Sequence, residues 1–271
     1  MVATTVCCVV LSVFVASGGF QKASSWLAAT LYSATHVISC TPDQPLVVRT
    51  ENFFSEADFK NISSCLVNHP LITNNTLNEQ GFGNTRGFLV KMNEDGLTDF
   101  RSDERLTCLT RFFDSARLTE ANAWVMNLLI CDSTEYSRRN VAVGLHLDDT
   151  IGINSIWKHL AHQVNVLYAS VPDDMVGGEL EVWSYNHTQE ALQWDDLSEV
   201  NGTVPPDELI TPVENTMVAF RGDSWHQVRG YKAPHRGLRI SLVMEQYIKS
   251  PAHYRFTHRF FVQMKSKMEM L

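Results

Sequence analysis

Three short pieces of this chain could do chemistry together: His146-Leu-Asp148, a lone His226 in Asp-Ser-Trp-His-Gln-Val, and Arg239-Ile-Ser241 thirteen residues beyond it. Two imidazoles and one carboxylate can occupy one face of an octahedral iron(II) ion, leaving three positions open. An arginine further along offers a planar fork of donors for the far carboxylate of an organic acid bound to that ion. Oxidation with a co-substrate is the chemistry such a set would serve. A histidine two residues before an aspartate is common by itself, so the weight lies on the ordered set.

The elements that must position these residues can be read from local pattern. Val141-Ala-Val-Gly leads into His146, and its valines favour a strand. Residues i and i+2 of a strand share a face, about 7 Å apart. His146 and Asp148 are therefore expected on one strand face, with Asp149 pointing away. The stretch 215–221 is expected to be a strand ending near His226. Leu238-Arg-Ile-Ser-Leu-Val-Met is expected to be another, with Arg239 and Ser241 side by side. Arg236, in the turn Ala-Pro-His-Arg-Gly, competes for the arginine's role. Tyr168 is a candidate hydrogen-bond donor, unless strand parity turns Leu167 inward instead. Trp225 reads as packing, and His159, His162 and His235 as ordinary polar histidines. Gly177 and Gly178 fit a tight turn that needs positive φ.

The ordered set resembles the 2-oxoglutarate/Fe(II)-dependent dioxygenases, in particular their prolyl 4-hydroxylase-like branch. The matching pieces are His146-Leu-Asp148, the apolar run 163–168 followed by Val176-Gly-Gly-Glu-Leu180, Phe220-Arg-Gly-Asp-Ser-Trp-His226, and Arg239-Ile-Ser241. They span about Trp124 to Tyr247, nearly half the chain. The resemblance implies a mainly β fold with flanking helices (α+β), a double-stranded β-helix or jelly-roll, cupin-like barrel. It implies that His146, Asp148 and His226 bind Fe(II), and that Arg239, Ser241 and Tyr168 hold 2-oxoglutarate. O₂ is the other co-substrate, and ascorbate is a candidate addition. The implied reaction couples decarboxylation of 2-oxoglutarate to hydroxylation of a C–H bond. A peptidyl proline or other protein side chain is the first expectation for substrate, with a small molecule as the alternative. The chain departs from collagen-type prolyl hydroxylases in offering arginine where a lysine is common. Two other readings use the same residues: a catalytically silent jelly-roll glycoprotein, and a zinc hydrolase with Glu179 or Asp149 as general base.

Composition sets bounds. With 271 residues and 44% apolar content the chain can bury one substantial core. A formal charge of −8 argues against nucleic acid as a partner. The run Val2 to Ala16 is uncharged and is followed by Ala16-Ser-Gly-Gly19, so 1–19 reads as a signal peptide or membrane anchor. Asn61, Asn74, Asn186 and Asn201 each begin an N-glycosylation acceptor. Beyond residue 19 four cysteines remain, Cys40, Cys65, Cys108 and Cys131, which allow one or two disulfides in three pairings. Together these lean toward the secretory pathway, with membrane contact only through an uncleaved anchor.

Along the chain, 20–45 reads as a linker and 46–271 as the dioxygenase domain. Within that domain, 46–123 is expected as helical support, 124–247 as the β core and 248–271 as a tail that is helical or loose. Ser55 should cap a helix whose stripe is Phe59, Ile62 and Leu66. A second helix is expected over 103–116, with Leu106, Leu109, Phe112 and Phe113 inward. Strands are expected over 45–49, 86–92, 124–131, 141–148, 163–169, 178–184, 190–194, 208–213, 215–221 and 237–247.

Overall fold

The computed structural model of the chain describes residues 36–72, 85–132, 141–149, 151, 158–184, 204–233 and 237–263. The first part holds β1 (His36–Val37), β2 (Val47–Thr50), α1 (Glu56–Val67), β3 (Thr85–Asn93), α2 (Leu97–Ser102) and α3 (Thr107–Ala116). Next come β4 (Ala123–Asp132), β5 (Val141–His146), β6 (Lys158–His159), β7 (Gln163–Ser170), β8 (Val176–Gly177) and β9 (Leu180–Trp183). The last part holds β10 (Glu208–Ile210), β11 (Met217–Arg221), β12 (Trp225–Arg229), β13 (Tyr231–Lys232), β14 (Leu238–Tyr247), α4 (Pro251–Tyr254) and β15 (Phe260–Gln263).

Two antiparallel sheets face each other in a jelly-roll arrangement. The larger has the order β15-β3-β4-β14-β7-β11-β2, the smaller β10-β9-β12-β5. Both sheets are open, so the expected barrel is two facing sheets rather than a closed cylinder. Helices α1 to α3 cover the outer face of the large sheet. Ser55 caps α1 as expected, its Oγ accepting from Asp58 N at 3.3 Å. Ile62 and Leu66 from α1 and Leu109, Phe112 and Phe113 from α3 are buried against Phe88, Val90, Met126 and Leu128 of the sheet. Each such side chain contributes about 1.5–3 kcal/mol by leaving water. Of the three cysteine pairings the fold selects Cys65–Cys108, which ties α1 to α3. Cys40 and Cys131 are free thiols.

Several elements differ from expectation. The helix foreseen over 103–116 is a 3₁₀ turn, Glu104–Leu106, running into α3. The tail is neither helical nor loose between 260 and 263, where β15 pairs with β3 as an edge of the large sheet. Within the stretch read as a linker, His36–Val37 pairs with Lys158–His159. The expected strand 190–194 and the segment 1–19 lie outside the described residues.

The strand expected over 215–221 is β11, which ends at Arg221, close to His226 as expected. His226 sits in a strand of its own, β12, in the opposite sheet. β11 belongs to the large sheet and β12 to the small one, and the turn 222–224 carries the chain between them. Gly222 permits the crossing, because a Cβ there would lie 1.9 Å from the Ala161 carbonyl oxygen. Gly177 and Gly178 do have positive φ, 91° and 79°, as their turn required.

Candidate metal centre

His146 and His226 face each other directly across the β5–β12 pair, next to a register shift in β12. Their ring centroids are 4.2 Å apart. Asp148 lies beyond the end of β5 rather than on the strand, so the same-face rule does not place it. Its backbone carbonyl is pinned instead by the Ala161 N–H at 2.9 Å. The carboxylate still turns into the gap: Oδ1 is 3.5 Å from His146 Nε2, and Oδ2 is 3.4 Å from His226 Nε2. Asp149 points away, as expected, and pairs with Lys158 at 3.3 Å.

The donor set suits a cation. His146 Nδ1 donates to the Gly144 carbonyl at 2.7 Å and His226 Nδ1 to the Ser224 carbonyl at 3.1 Å. A carbonyl only accepts, so each Nδ1 carries the proton and each Nε2 presents its lone pair inward. The buried Asp148 Oδ2 accepts no hydrogen bond. The ligand atoms of the three residues lie within 4.8 Å of one another, the one such group among the described residues.

Electrostatics agree. Burial, then the charge of His146, hold His226 down to about 4. For His146 burial opposes protonation, but Asp148 and the Gly144 carbonyl outweigh it and raise the pKa. Burial likewise opposes ionisation of Asp148, and His226 and His146 overcome it and lower the pKa. The triad thus holds one buried anion between two imidazoles, a place for positive charge.

The triad opens onto a cavity of about 490 Å³, mouth included, between the two sheets. Its walls are mostly apolar, among them Leu129, Val164, Val166, Leu180, Phe220 and Val243. Arg239, only 2% exposed, also lines it. Its Nη1 donates to Ser241 Oγ at 3.0 Å, while Nε has no partner. No carboxylate among the described residues pairs with this guanidinium. Tyr168 stands opposite Ser241 in the β7–β14 register, its ring 5.4 Å from the Arg239 Cζ. Its hydroxyl is buried without a hydrogen-bond partner. Burial pushes the phenol pKa up, with the Arg239 charge partly offsetting it. Strand parity is settled here: Tyr168 faces the cavity and Leu167 the helix-side core. Below the arginine, Tyr231 OH donates to the Cys131 carbonyl at 2.6 Å and accepts from the Arg239 N–H at 3.4 Å.

Of the other residues singled out by sequence, Arg236 and His235 lie outside the described residues, as do Asn74, Asn186 and Asn201. Asn61 is exposed on α1. Trp225 stands opposite Trp183, in keeping with packing. His162 contacts Gln44 and Ser39. Neither Glu179 nor Asp149 lines the cavity, so the zinc-hydrolase reading loses both of its expected bases. Sequence reasoning passed over three inward polar residues. Asn127 lines the cavity and donates to the fully buried Glu245 at 3.0 Å, and Tyr247 OH donates to the same carboxylate. All three occupy inward positions of apolar strands, a parity signal that could have found them.

No protein-family model matches the chain, and no curated protein does. Many of the solved structures it resembles are 2OG-Fe(II) oxygenases. A Pseudomonas putida prolyl-4-hydroxylase shares 14% identity over 83% of this chain and all of that chain, with a TM-score of 0.44. A 2OG-Fe(II) oxygenase family oxidoreductase from Burkholderia pseudomallei shares 16% over 79% and 95%, at 0.39. IDO from Bacillus thuringiensis shares 11% over 76% and 94%, at 0.44. At these identities and scores such likenesses carry no conclusion about activity.

Proposed function

We propose that this protein is a non-haem Fe(II) dioxygenase that consumes 2-oxoglutarate and hydroxylates a C–H bond. One observation carries the reading: three residues able to hold a metal ion share one cavity with a buried guanidinium that has no carboxylate partner among the described residues. A dicarboxylic keto acid is the ligand that both ends would satisfy. His146, Asp148 and His226 hold the ion; Arg239 takes the distal carboxylate in a charge-assisted contact, and the hydroxyls of Ser241 and Tyr168 complete its shell. When bound, Fe(II) supplies the activation of O₂. The balance is substrate C–H plus 2-oxoglutarate plus O₂ giving substrate C–OH, succinate and CO₂. The apolar walls keep water from the reacting atoms.

A peptidyl proline or another protein side chain is the first substrate to try, and a small molecule would use the same centre. Succinate release, measured with Fe(II) and 2-oxoglutarate against a panel of peptides and metabolites, tests the proposal. Turnover that needs both additions and disappears in His146→Ala supports it. Iron-independent turnover contradicts it, and no succinate with any member of the panel favours a silent binding protein. We further propose passage through the secretory pathway, supported by the Cys65–Cys108 disulfide, since such bonds persist in oxidising compartments. An unglycosylated, unprocessed product from a eukaryotic host would oppose it.

A further inference from the structure

One polar residue on the cavity wall has no part in the metal centre or the keto-acid site. The triad, Arg239, Ser241 and Tyr168 account for the others, and Asn127 is left over. It lies midway along β4, in the interior of the large sheet. From Ala123 to Cys131 every other residue is buried, while Asn127 is half-buried. β3 and β14 flank it and the cavity lies before it, so its exposure is toward the cavity. Glu245 sets the direction of its amide. That carboxylate is fully buried and accepts from Asn127 Nδ2 at 3.0 Å and from Tyr247 OH. A carboxylate only accepts, so Nδ2 is the atom turned toward it and Oδ1 is turned the other way. Among the described residues no group donates to Asn127 Oδ1.

We propose that Asn127 recognises the organic substrate, and that the group it recognises is an uncharged amide on an aliphatic moiety. The inference rests on the dioxygenase reading and names its substrate class. Position favours the substrate over the keto acid. Asn127 stands opposite Val243 in the β4–β14 register, one inward step past the Leu129–Ser241 pair. That step is about 7 Å along the sheet. The Arg239 guanidinium bonds Ser241, so a keto acid begins at that pair. It must then leave the large sheet for the metal ligands, two of which stand on β5 and β12 of the small one. Asn127 is thereby left to a second ligand. Chemistry selects the amide. With one Nδ2 hydrogen given to Glu245, the side chain keeps one N–H and an acceptor oxygen, the complement of another amide's carbonyl and N–H. The bond to a carboxylate polarises the Asn127 amide and makes Oδ1 a stronger acceptor. The wall around it, Leu129, Val143, Val166 and Val243 among it, offers aliphatic contact and no charge beyond the triad and Arg239. A charged substrate group would be buried there without a partner.

The test is calorimetric titration of the full-length chain, supplied with Fe(II) and 2-oxoglutarate under argon. The probes are the N-acetyl amides of proline, valine and leucine, with free lysine and glutamate as charged counterparts. Saturable binding of at least one amide is expected, and of neither charged amino acid. Asn127→Leu should weaken that binding by about tenfold, the loss of one buried hydrogen bond. Its 2-oxoglutarate requirement should stay that of the wild type. The side-chain amide resonances of Asn127 in the wild type should move when the bound probe is added, a check that needs no variant. Binding of no amide, unmoved Asn127 resonances, equal affinity in Asn127→Leu, or preference for lysine or glutamate overturns the proposal. So does a raised 2-oxoglutarate requirement in Asn127→Leu, which would assign Asn127 to the keto acid. A wild type that takes up no 2-oxoglutarate, yet binds an amide that Asn127→Leu loses, contradicts the dioxygenase reading and leaves the amide site standing.

Discussion

The two faces of β14 put one strand to two uses. Toward the helices it presents Ile240, Leu242 and Met244, all sealed within an apolar core. Toward the small sheet it presents Arg239, Ser241, Val243, Glu245 and Tyr247, mostly polar and nearly as deeply buried. Both faces are buried, so burial alone does not separate them. On the outer face the groups are apolar apart from Gln246, whose amide is satisfied: it donates to the Ala116 carbonyl and accepts from the Leu118 N–H. On the inner face Arg239 Nε, Tyr168 OH and Asp148 Oδ2 remain without partners around an open cavity. Buried polar groups in a settled core are almost always satisfied. The difference teaches that the outer face stabilises the fold, while the inner face keeps unsatisfied groups in place for a ligand.

Several substitutions would break or sharpen that contrast. Replacing His146, Asp148 or His226 by alanine should lower metal affinity by well over ~100-fold, more than losing even an outer partner of a ligand costs. Titration of the apo-protein with Fe(II) under argon checks it; near-native affinity in any one variant removes that residue from the centre. Phe112→Ala, on the helix side, should cost about 3–5 kcal/mol in urea unfolding and leave metal affinity intact. A parallel loss of both would mean that the two faces are not independent. Arg239→Met should do the reverse. It removes an unpaired buried charge, so stability should hold or rise. The 2-oxoglutarate requirement should rise by more than about tenfold, which corresponds to ~1.4 kcal/mol. A destabilised variant with an unchanged requirement would make Arg239 a structural residue and point to Arg236.

The smallest effect is on pH. His226 titrates at about 4 in the fold, against 6.5 for a free imidazole. The unfolded chain therefore takes up a proton that the native state refuses. Stability of the metal-free protein should fall as pH drops from about 6.5 toward 4. His146, raised above 6.5, works in the opposite sense: its contribution is full below 6.5 and is lost as pH rises through its folded value. His226→Asn should flatten the acid-side slope in pH-dependent unfolding, and an unaltered slope would assign it elsewhere.

Much of this was legible in the sequence because the signals are local. Ser55 with Asp58 announced a helix start, alternation announced β14, and paired glycines announced the turn at 177–178. Order and spacing singled out the two histidines and the arginine, which the fold brings to one cavity. Sheet membership was not legible, since it depends on contacts distant in sequence. The turn at Gly222 moves β12 into the opposite sheet, a consequence of the close approach of Ala161. Asp148 reaches the centre from a loop held by the Ala161 N–H, so strand periodicity gave a sound residue for the wrong reason. The disulfide had to await the packing of α1 on α3, and β15 the free edge of β3.

The account turns on whether the triad and Arg239 hold one keto acid between them. Anaerobic addition of Fe(II) and then 2-oxoglutarate to the purified protein, followed in the visible spectrum, tests this directly. A weak metal-to-ligand charge-transfer band should appear on adding 2-oxoglutarate, and in Arg239→Met it should need a much higher concentration. A protein that binds Fe(II) but gives no band at saturating 2-oxoglutarate would contradict the account.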